Sequence, residues 1–321
     1  MILKKKQQIA LIVGSGVIGA YLSKLLIRNG IKIIVTSRKL KKYSVNYKKL
    51  KINNKVKFIK LNLLNKKKIK DAILKYKPNF IYYFAGQRSV SKSFKNPSDT
   101  YKANYLGAKN YLDVLKKEKS SIKFFKASSG YIFNGERKKI TLKSKLIKPE
   151  SPYTRSQIKA FNLIKKYRRI GINCYSIIFF NIESPLASLN FIAKKICYLS
   201  KLIKEKKIDQ IKVGYIESIR DFGWAPEMVY AVYLMKNLKP QDMLVGSGKA
   251  MSIRQLIYHA FNYRKLNYKN YIKVDKKLFR KIERNQIVGS MYQTCRLLKK
   301  WHWKPKIIGK KLVYKMCQNF Y

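Results

Sequence analysis

IALIVGSGVIGAYLSKLL, residues 9–26, decides how the rest of this chain is read. Five apolar residues make a short buried strand, glycines then fall at 14, 16 and 19, and a helical pattern follows. Gly14 permits a tight turn, Gly16 lets the backbone approach a pyrophosphate, and Gly19 lets the helix pack close to the strand. The free N–H groups of the helix start then face the phosphates. A glycine triplet alone is weak, but here it sits between strand and helix at the head of an alternating chain, so the expectation is dinucleotide binding.

Working outward, β-rich runs at 9–13, 32–36, 56–60, 80–84, 122–127 and 174–180 alternate with helical stretches such as 19–28, 100–117 and 153–169. That alternation predicts an α/β chain, a Rossmann-type doubly wound parallel sheet covered on both faces. After residue 181 the alternation weakens. The expected division is a dinucleotide-binding domain over 1–180, with roughly 211–247 returning to it, and a smaller C-terminal lobe over 181–321 that is mainly substrate-binding. Arg38 follows the second strand where NAD enzymes usually carry an acid, which suits a 2′-phosphate and hence NADP. Asn62, after the third strand, is a candidate adenine contact.

Composition narrows the classes. The 321 residues carry 73 basic and 15 acidic side chains, a net charge of +58. Such a field attracts polyanions. The lysines nevertheless run along the whole length with no basic arm, which reads as compositional drift rather than a nucleic-acid function. The apolar runs are too short to span a bilayer and the N-terminus has no signal-peptide pattern, so no membrane partner and a cytoplasmic location are expected. Four cysteines without CxxC spacing and only two histidines argue against a metal site.

The chemistry concentrates in three places: Ser128–Ser129 after the fifth strand, the run SPYTRSQIKA (151–160), and a C-terminal set of acids and arginines. Ser151 and Pro152 suit an N-cap and first helical turn, which puts Tyr153 at a helix start. The segments AGQRSVSKSF (85–94), SPY with its helix, FNIESP (180–185), NFIAKKI (190–196), RDFG (220–223) with Glu227, GSGKAMSIRQL (246–256) and WKP (303–305) together resemble extended short-chain dehydrogenase/reductases of the NAD-dependent epimerase/dehydratase type. The resemblance is most marked to GDP-mannose 4,6-dehydratases and covers nearly the whole chain in order.

That resemblance implies an NADP-dependent lyase. The tyrosine, here Tyr153, takes a proton from the sugar 4-hydroxyl of GDP-mannose or a related nucleotide sugar as hydride leaves C4. Water is then eliminated across C5–C6 and the hydride returns to C6, giving a 4-keto-6-deoxy sugar nucleotide. Ser129 matches the catalytic threonine. Gly14, Gly16, Gly19, Arg38, Asn62, Ala85 and Gln157 fall on cofactor positions. Asn181, Glu183, Asn190, Lys194, Arg220 and Arg254 fall on substrate positions. A homodimer or homotetramer, paired through the helices at 100–117 and 153–169, is also implied.

Two departures stand out. Gln157 replaces the lysine expected four residues after the tyrosine; it keeps a hydrogen bond to the nicotinamide ribose but loses the charge that favours tyrosinate, and a free tyrosine has a pKa of about 10. Lys159 points elsewhere on the helix. Tyr131 replaces the dehydratase glutamate, leaving Tyr131 itself, Glu136 or Glu183 as candidates for C5 deprotonation. A 4-keto reductase or epimerase, or a non-catalytic nucleotide-sugar-binding homologue, are the alternative readings.

Overall fold

The computed structural model describes residues 7–38, 45–136 and 138–318. It divides into two compact units. The first comprises the chain up to Ile132, Lys148–Ile178 and Val232–Met243; the second comprises Phe133–Ile147, Phe179–Ala231 and the chain from Leu244. The returning segment is thus shorter than 211–247. The strands at 211–213 and 219–224 find all their partners within the second unit.

A seven-stranded sheet organises the first unit. Its strands are β1 (Ile9–Val13), β2 (Lys32–Ser37), β3 (Val56–Lys60), β4 (Phe80–Tyr83), β5 (Lys123–Ser129), β6 (Cys174–Phe179) and, later in the chain, β10 (Asp242–Val245). The spatial order is β10-β6-β5-β4-β1-β2-β3. The pairs β1–β2, β1–β4, β2–β3 and β4–β5 are parallel. This is the doubly wound order with its switch point between β1 and β4. The expected α/β class is therefore present, and each expected strand lies within two residues of its place at either end.

The strands are apolar because both faces are covered. On one face Phe124, Tyr83 and Ile81 pack with Leu112 and Leu115 of the helix Gly107–Lys117 and with Leu163 and Ile164 of the helix Pro152–Arg169. On the other, Phe125 stacks between Tyr82 and Tyr175, with ring centroids 4.7 and 4.4 Å away.

The second unit holds β9 (Ile219–Trp224) between β11 (Ala250–Ser252) and β13 (Gln286–Ile287), with β7 (Asn181–Glu183) also paired to β9, and a separate pair of β8 (Ile211–Val213) with β12 (Ile272–Val274). Its core joins the helices Ile192–Lys204, Ile253–Asn262 and Gly309–Gln318.

Candidate active site

The three glycines do three different jobs. Gly14 has φ +100°, and a Cβ there would stand 2.8 Å from the Ala85 backbone nitrogen, so both conformation and space require glycine. A Cβ at Gly19 would meet the Gly14 carbonyl at 2.7 Å and Ile12 at 3.0 Å, which is the close packing of helix on strand. Gly16 differs. Its backbone is extended (φ −72°, ψ −176°) and a Cβ would meet nothing within 4 Å. Nothing in the protein requires glycine there, whereas a group lying against the loop would. Gly16 caps the helix Val17–Arg28 with no side-chain hydrogen bond, which leaves the first-turn N–H groups free for an anion.

Arg38 is exposed immediately after β2. Asn62 is exposed and its Oδ1 accepts from the Leu64 N–H at 3.1 Å, so its carbonyl holds the turn after β3. Ala85 packs on Gly14 at the end of β4.

Ser129 ends β5, and Tyr153 begins the helix at 152–169. Ser151 caps that helix by accepting from Thr154 N at 3.1 Å while Thr154 Oγ1 accepts from Ser151 N at 3.0 Å, with Pro152 in the first turn. Ser93, wholly buried, accepts from Tyr153 N at 3.2 Å and fixes the helix start. These constraints set the Tyr153 phenol beside Ser129, close enough for the two hydroxyls to interact. Burial pushes the Tyr153 phenol up to about 12; the Ser129 hydrogen bond and the nearby Arg88 guanidinium pull it down, and Tyr131 pushes it up. Tyr131, half-buried, donates its N–H to Ser129 Oγ at 3.2 Å. Ser129, Tyr131 and Tyr153 therefore form one cluster.

Gln157 lies one turn along the same helix, 6 % exposed, and its Oε1 has no hydrogen-bond partner. Ser128 Oγ is likewise buried without a partner. Buried polar atoms are rarely left unpaired. Both belong to the elements that carry Ser129 and Tyr153, and with the open space over Gly16 these residues are compatible with a bound dinucleotide. Lys159 points out, donating to Tyr101 Oη at 3.4 Å.

Asn104 and Arg88 escaped the sequence reading. Asn104 is wholly buried; it accepts from Gln87 N at 2.9 Å and donates to Ser156 Oγ at 3.0 Å, tying the loop after β4 to the helix at 152–169. Arg88 was in view within AGQRSVSKSF, but its influence on Tyr153 depends on a loop path that the sequence does not encode locally.

In the second unit the C-terminal motifs are tied to one another. Asp221 is wholly buried and accepts from Ser247 N and Oγ, both at 2.6 Å, from Gly248 N at 2.9 Å and from Gly289 N at 3.3 Å. Burial raises its carboxyl above the ordinary range, and those donors offset the rise only in part. RDFG thus clasps the GSGK loop. Glu227 Oε2 accepts from Lys306 N and Ile307 N at 3.2 and 3.1 Å, and its carbonyl accepts from Trp303 Nε1 at 3.0 Å, which joins it to the WKP segment.

Arg220 donates to the carbonyls of Ile219 and Arg284, both at 2.9 Å, and pairs with Glu283 at 3.0 Å. Arg254 is half-exposed and pairs with Glu217 through both Nε and Nη2. Glu183 and Lys194 are buried, Asn181 is half-buried and Asn190 is exposed. Glu136 is exposed. Among the described residues there is no cluster of three metal-ligating side chains and no helix long and apolar enough to cross a membrane.

A glycine loop on the first strand of a parallel sheet, with a serine at the end of the fifth strand facing a tyrosine at the start of the next helix, is the arrangement of the extended short-chain dehydrogenase/reductases. Comparison with known proteins agrees. A family model described as GDP-mannose 4,6 dehydratase matches residues 11–316, so the chain belongs to that family. GDP-mannose 4,6 dehydratase 1 of Arabidopsis thaliana is 28 % identical over 98 % of this chain and 90 % of its own length. Among solved structures, RMD from Pseudomonas aeruginosa complexed with NADPH superposes with a TM-score of 0.78 at 20 % identity, covering 97 % of this chain and 98 % of its own. The Bacillus anthracis dTDP-glucose 4,6-dehydratase in complex with NAD gives 0.81 at 16 %, covering 97 % and 96 %. Both likenesses are of fold.

Proposed function

We propose that this protein is a nucleotide-sugar 4,6-dehydratase that binds NADP in its first unit and takes GDP-mannose as substrate, with the second unit as the substrate-binding lobe. The observation that carries this reading is the Ser129–Tyr153 pair flanked by the unpartnered Ser128 Oγ and Gln157 Oε1. A nicotinamide cofactor agrees with those bound to the two solved structures above. Arg38 favours the 2′-phosphate form.

The glycine loop and helix 17–28 would hold the pyrophosphate, Arg38 the 2′-phosphate, Ala85 and Asn62 the adenosine side, and Gln157 the nicotinamide ribose. When bound, the cofactor supplies a reversible hydride acceptor. Tyr153 takes the proton of the sugar 4-hydroxyl, and Ser129 orients that hydroxyl and the phenol. Burial pushes the Tyr153 phenol up to about 12, so ionising it is favoured by nearby positive charge, of which the Arg88 guanidinium is one source. Tyr131 is the proposed group for the second proton transfer, at C5. Asn181, Glu183, Asn190 and Lys194 are the proposed sugar-nucleotide contacts. Arg220 and Arg254 are already engaged by Glu283 and Glu217 and would act through the loops they hold.

Mass spectrometry of the protein incubated with NADP and GDP-mannose tests this. Loss of one water from the sugar nucleotide is the expected result. Binding of both without that loss would favour the second reading, a 4-keto reductase, epimerase or non-catalytic homologue, for which Tyr131 in place of a carboxylate is the specific observation.

A further inference from the structure

Two thiols meet in the core of the second unit. Cys197 lies on the helix Ile192–Lys204 and Cys317 in the last turn of the helix Gly309–Gln318, and both belong to the cluster that packs those helices together. Cys197 is fully buried and Cys317 is 3 % exposed. Side-chain and backbone contacts bring them to one place. The Cys197 thiol points at the Val313 carbonyl, 4.0 Å away and one helical turn before Cys317. A helical side chain leans back over the preceding turn, so Cys317 leans toward the turn that Cys197 touches. Arg264 ties the two backbones as well. Its Nε donates to Ser200 Oγ at 3.2 Å and its Nη2 to the Cys317 carbonyl at 3.4 Å, while Ser200 Oγ donates to the Cys197 carbonyl at 2.9 Å. The two sulfurs are close enough to interact, and all four cysteines are free.

The two thiols are unequal. Cys197 beside it lowers the Cys317 thiol; burial works against this and the Arg264 guanidinium assists it. Cys197 is raised well above the ordinary thiol range by Cys317 and by burial. The thiolate is the form that attacks an oxidant, so the pair has an attacking and a resolving member. Cys317 also sits where a helix frays first, at its end, which gives a small oxidant access. Cys174, buried, and Cys295, half-buried, have thiols that burial raises.

We propose that Cys197 and Cys317 form an oxidation site at which a small hydroperoxide closes a disulfide between the two helices. The Cys317 thiolate attacks the peroxide and breaks its O–O bond. One oxygen stays on Cys317 as a sulfenic acid, and the other leaves as water or alcohol with the proton that Cys317 gave up. The Cys197 sulfur then attacks the Cys317 sulfur. The sulfenic hydroxyl leaves as water with the Cys197 proton, and two electrons have passed from the thiols to the peroxide. The bond fastens the helix 309–318 to the helix 192–204.

Mass spectrometry of the whole reduced protein, exposed to hydrogen peroxide in native buffer, tests this. The expected result is loss of two hydrogens, with the peptides carrying Cys197 and Cys317 joined, and full reversal by dithiothreitol. In Cys197→Ser, dimedone, which captures sulfenic acids, is expected to label Cys317; in Cys317→Ser it should leave Cys197 unlabelled. Oxidation that falls on Cys295, the more exposed thiol, with Cys197 and Cys317 unjoined, overturns the proposal. So does a bond between them that forms only after urea has unfolded the chain, because native packing would then not hold the sulfurs in reach. Equal labelling of Cys197 and Cys317 in the two variants overturns the division of roles. The wild-type peptide map decides the site even where a variant fails to fold.

Discussion

At the scale of single residues, glycines 14 and 16 separate folding from binding. Gly14→Ala forces a side chain into a positive-φ turn against the Ala85 backbone. It should cost about 1–3 kcal/mol, read as a lowered denaturant midpoint. Gly16→Ala meets no protein atom, so the midpoint should hold while NADP affinity falls; equal affinity would sink the assignment of Gly16 to a pyrophosphate. Lys126, 2 % exposed on β5, gives a pH test. Its folded-state pKa, about 7, lies below the ordinary 10.5. The unfolded chain therefore binds more protons between those values, and stability should rise with pH across that window. Lys126→Met should be more stable than wild type at pH 7, on the order of a few kcal/mol, with the gap closing towards pH 10. A gap independent of pH would mean the ammonium is not buried as described. Lys126 could not be found from sequence, because a lysine among 73 basic residues carries no mark of burial. Tyr153, Ser129 and Gln157 could, because their spacing is local to one helix and one strand end.

Among the elements, sequence spoke plainly where periodicity was local. The strands and the helix at 152–169 fall where apolar spacing and the Ser151–Pro152 start put them. The stretch read as one helix over 100–117 instead runs from Pro97–Tyr101 through a π-helical turn at 102–106 into Gly107–Lys117. The cause is tertiary. Tyr83 Oη donates to the Ala103 carbonyl at 2.6 Å, and a Cβ at Gly107 would stand 2.2 Å from that hydroxyl. A carbonyl claimed by a strand residue loosens the helical ladder there, and such bulges recur at functional sites. The C-terminal motifs show a second limit. RDFG, GSGK and WKP were legible as segments, but not that Asp221 and Glu227 hold backbone N–H groups of loops far along the chain. Asp221→Ala removes the acceptor of four donors. It should destabilise the protein by about 3 kcal/mol or more, whereas Arg254→Ala, which breaks an exposed pair, should cost about 1 kcal/mol or less. Comparable losses in thermal or denaturant unfolding would contradict the structural role given to Asp221.

Over the whole molecule, the balance of charge decides how the fold is held. With 15 acids against 73 bases, few acids are available to offset the positive charge. Asp113 accepts from Lys66 at 2.6 Å, Lys109 at 2.9 Å and the Tyr167 hydroxyl. Burial pushes its carboxyl up, but those three donors outweigh it and hold it down to about 2. Asp242 takes Arg168, and Glu118 takes Lys70. The remaining positive charge repels itself across the surface, which opposes compaction. Added salt acts on the two kinds of interaction unequally. The exposed lysines interact over distances beyond the Debye length, about 10 Å at 0.1 M and 30 Å at 0.01 M, so their repulsion is screened. The partly buried Asp113 cluster, with contacts near 3 Å, is screened much less. Repulsion being the larger sum at +58, the melting temperature should rise when sodium chloride is raised from about 10 to 200 mM, and Asp113→Asn should lower it at both concentrations. A melting temperature that falls with salt would mean attractive surface pairs dominate after all. If the proposed activity holds, the same field would draw in the anionic sugar nucleotide, so the apparent KM for GDP-mannose should climb over the same salt range while kcat changes little. Steering acts on encounter and leaves the chemical step proposed for Ser129 and Tyr153 untouched.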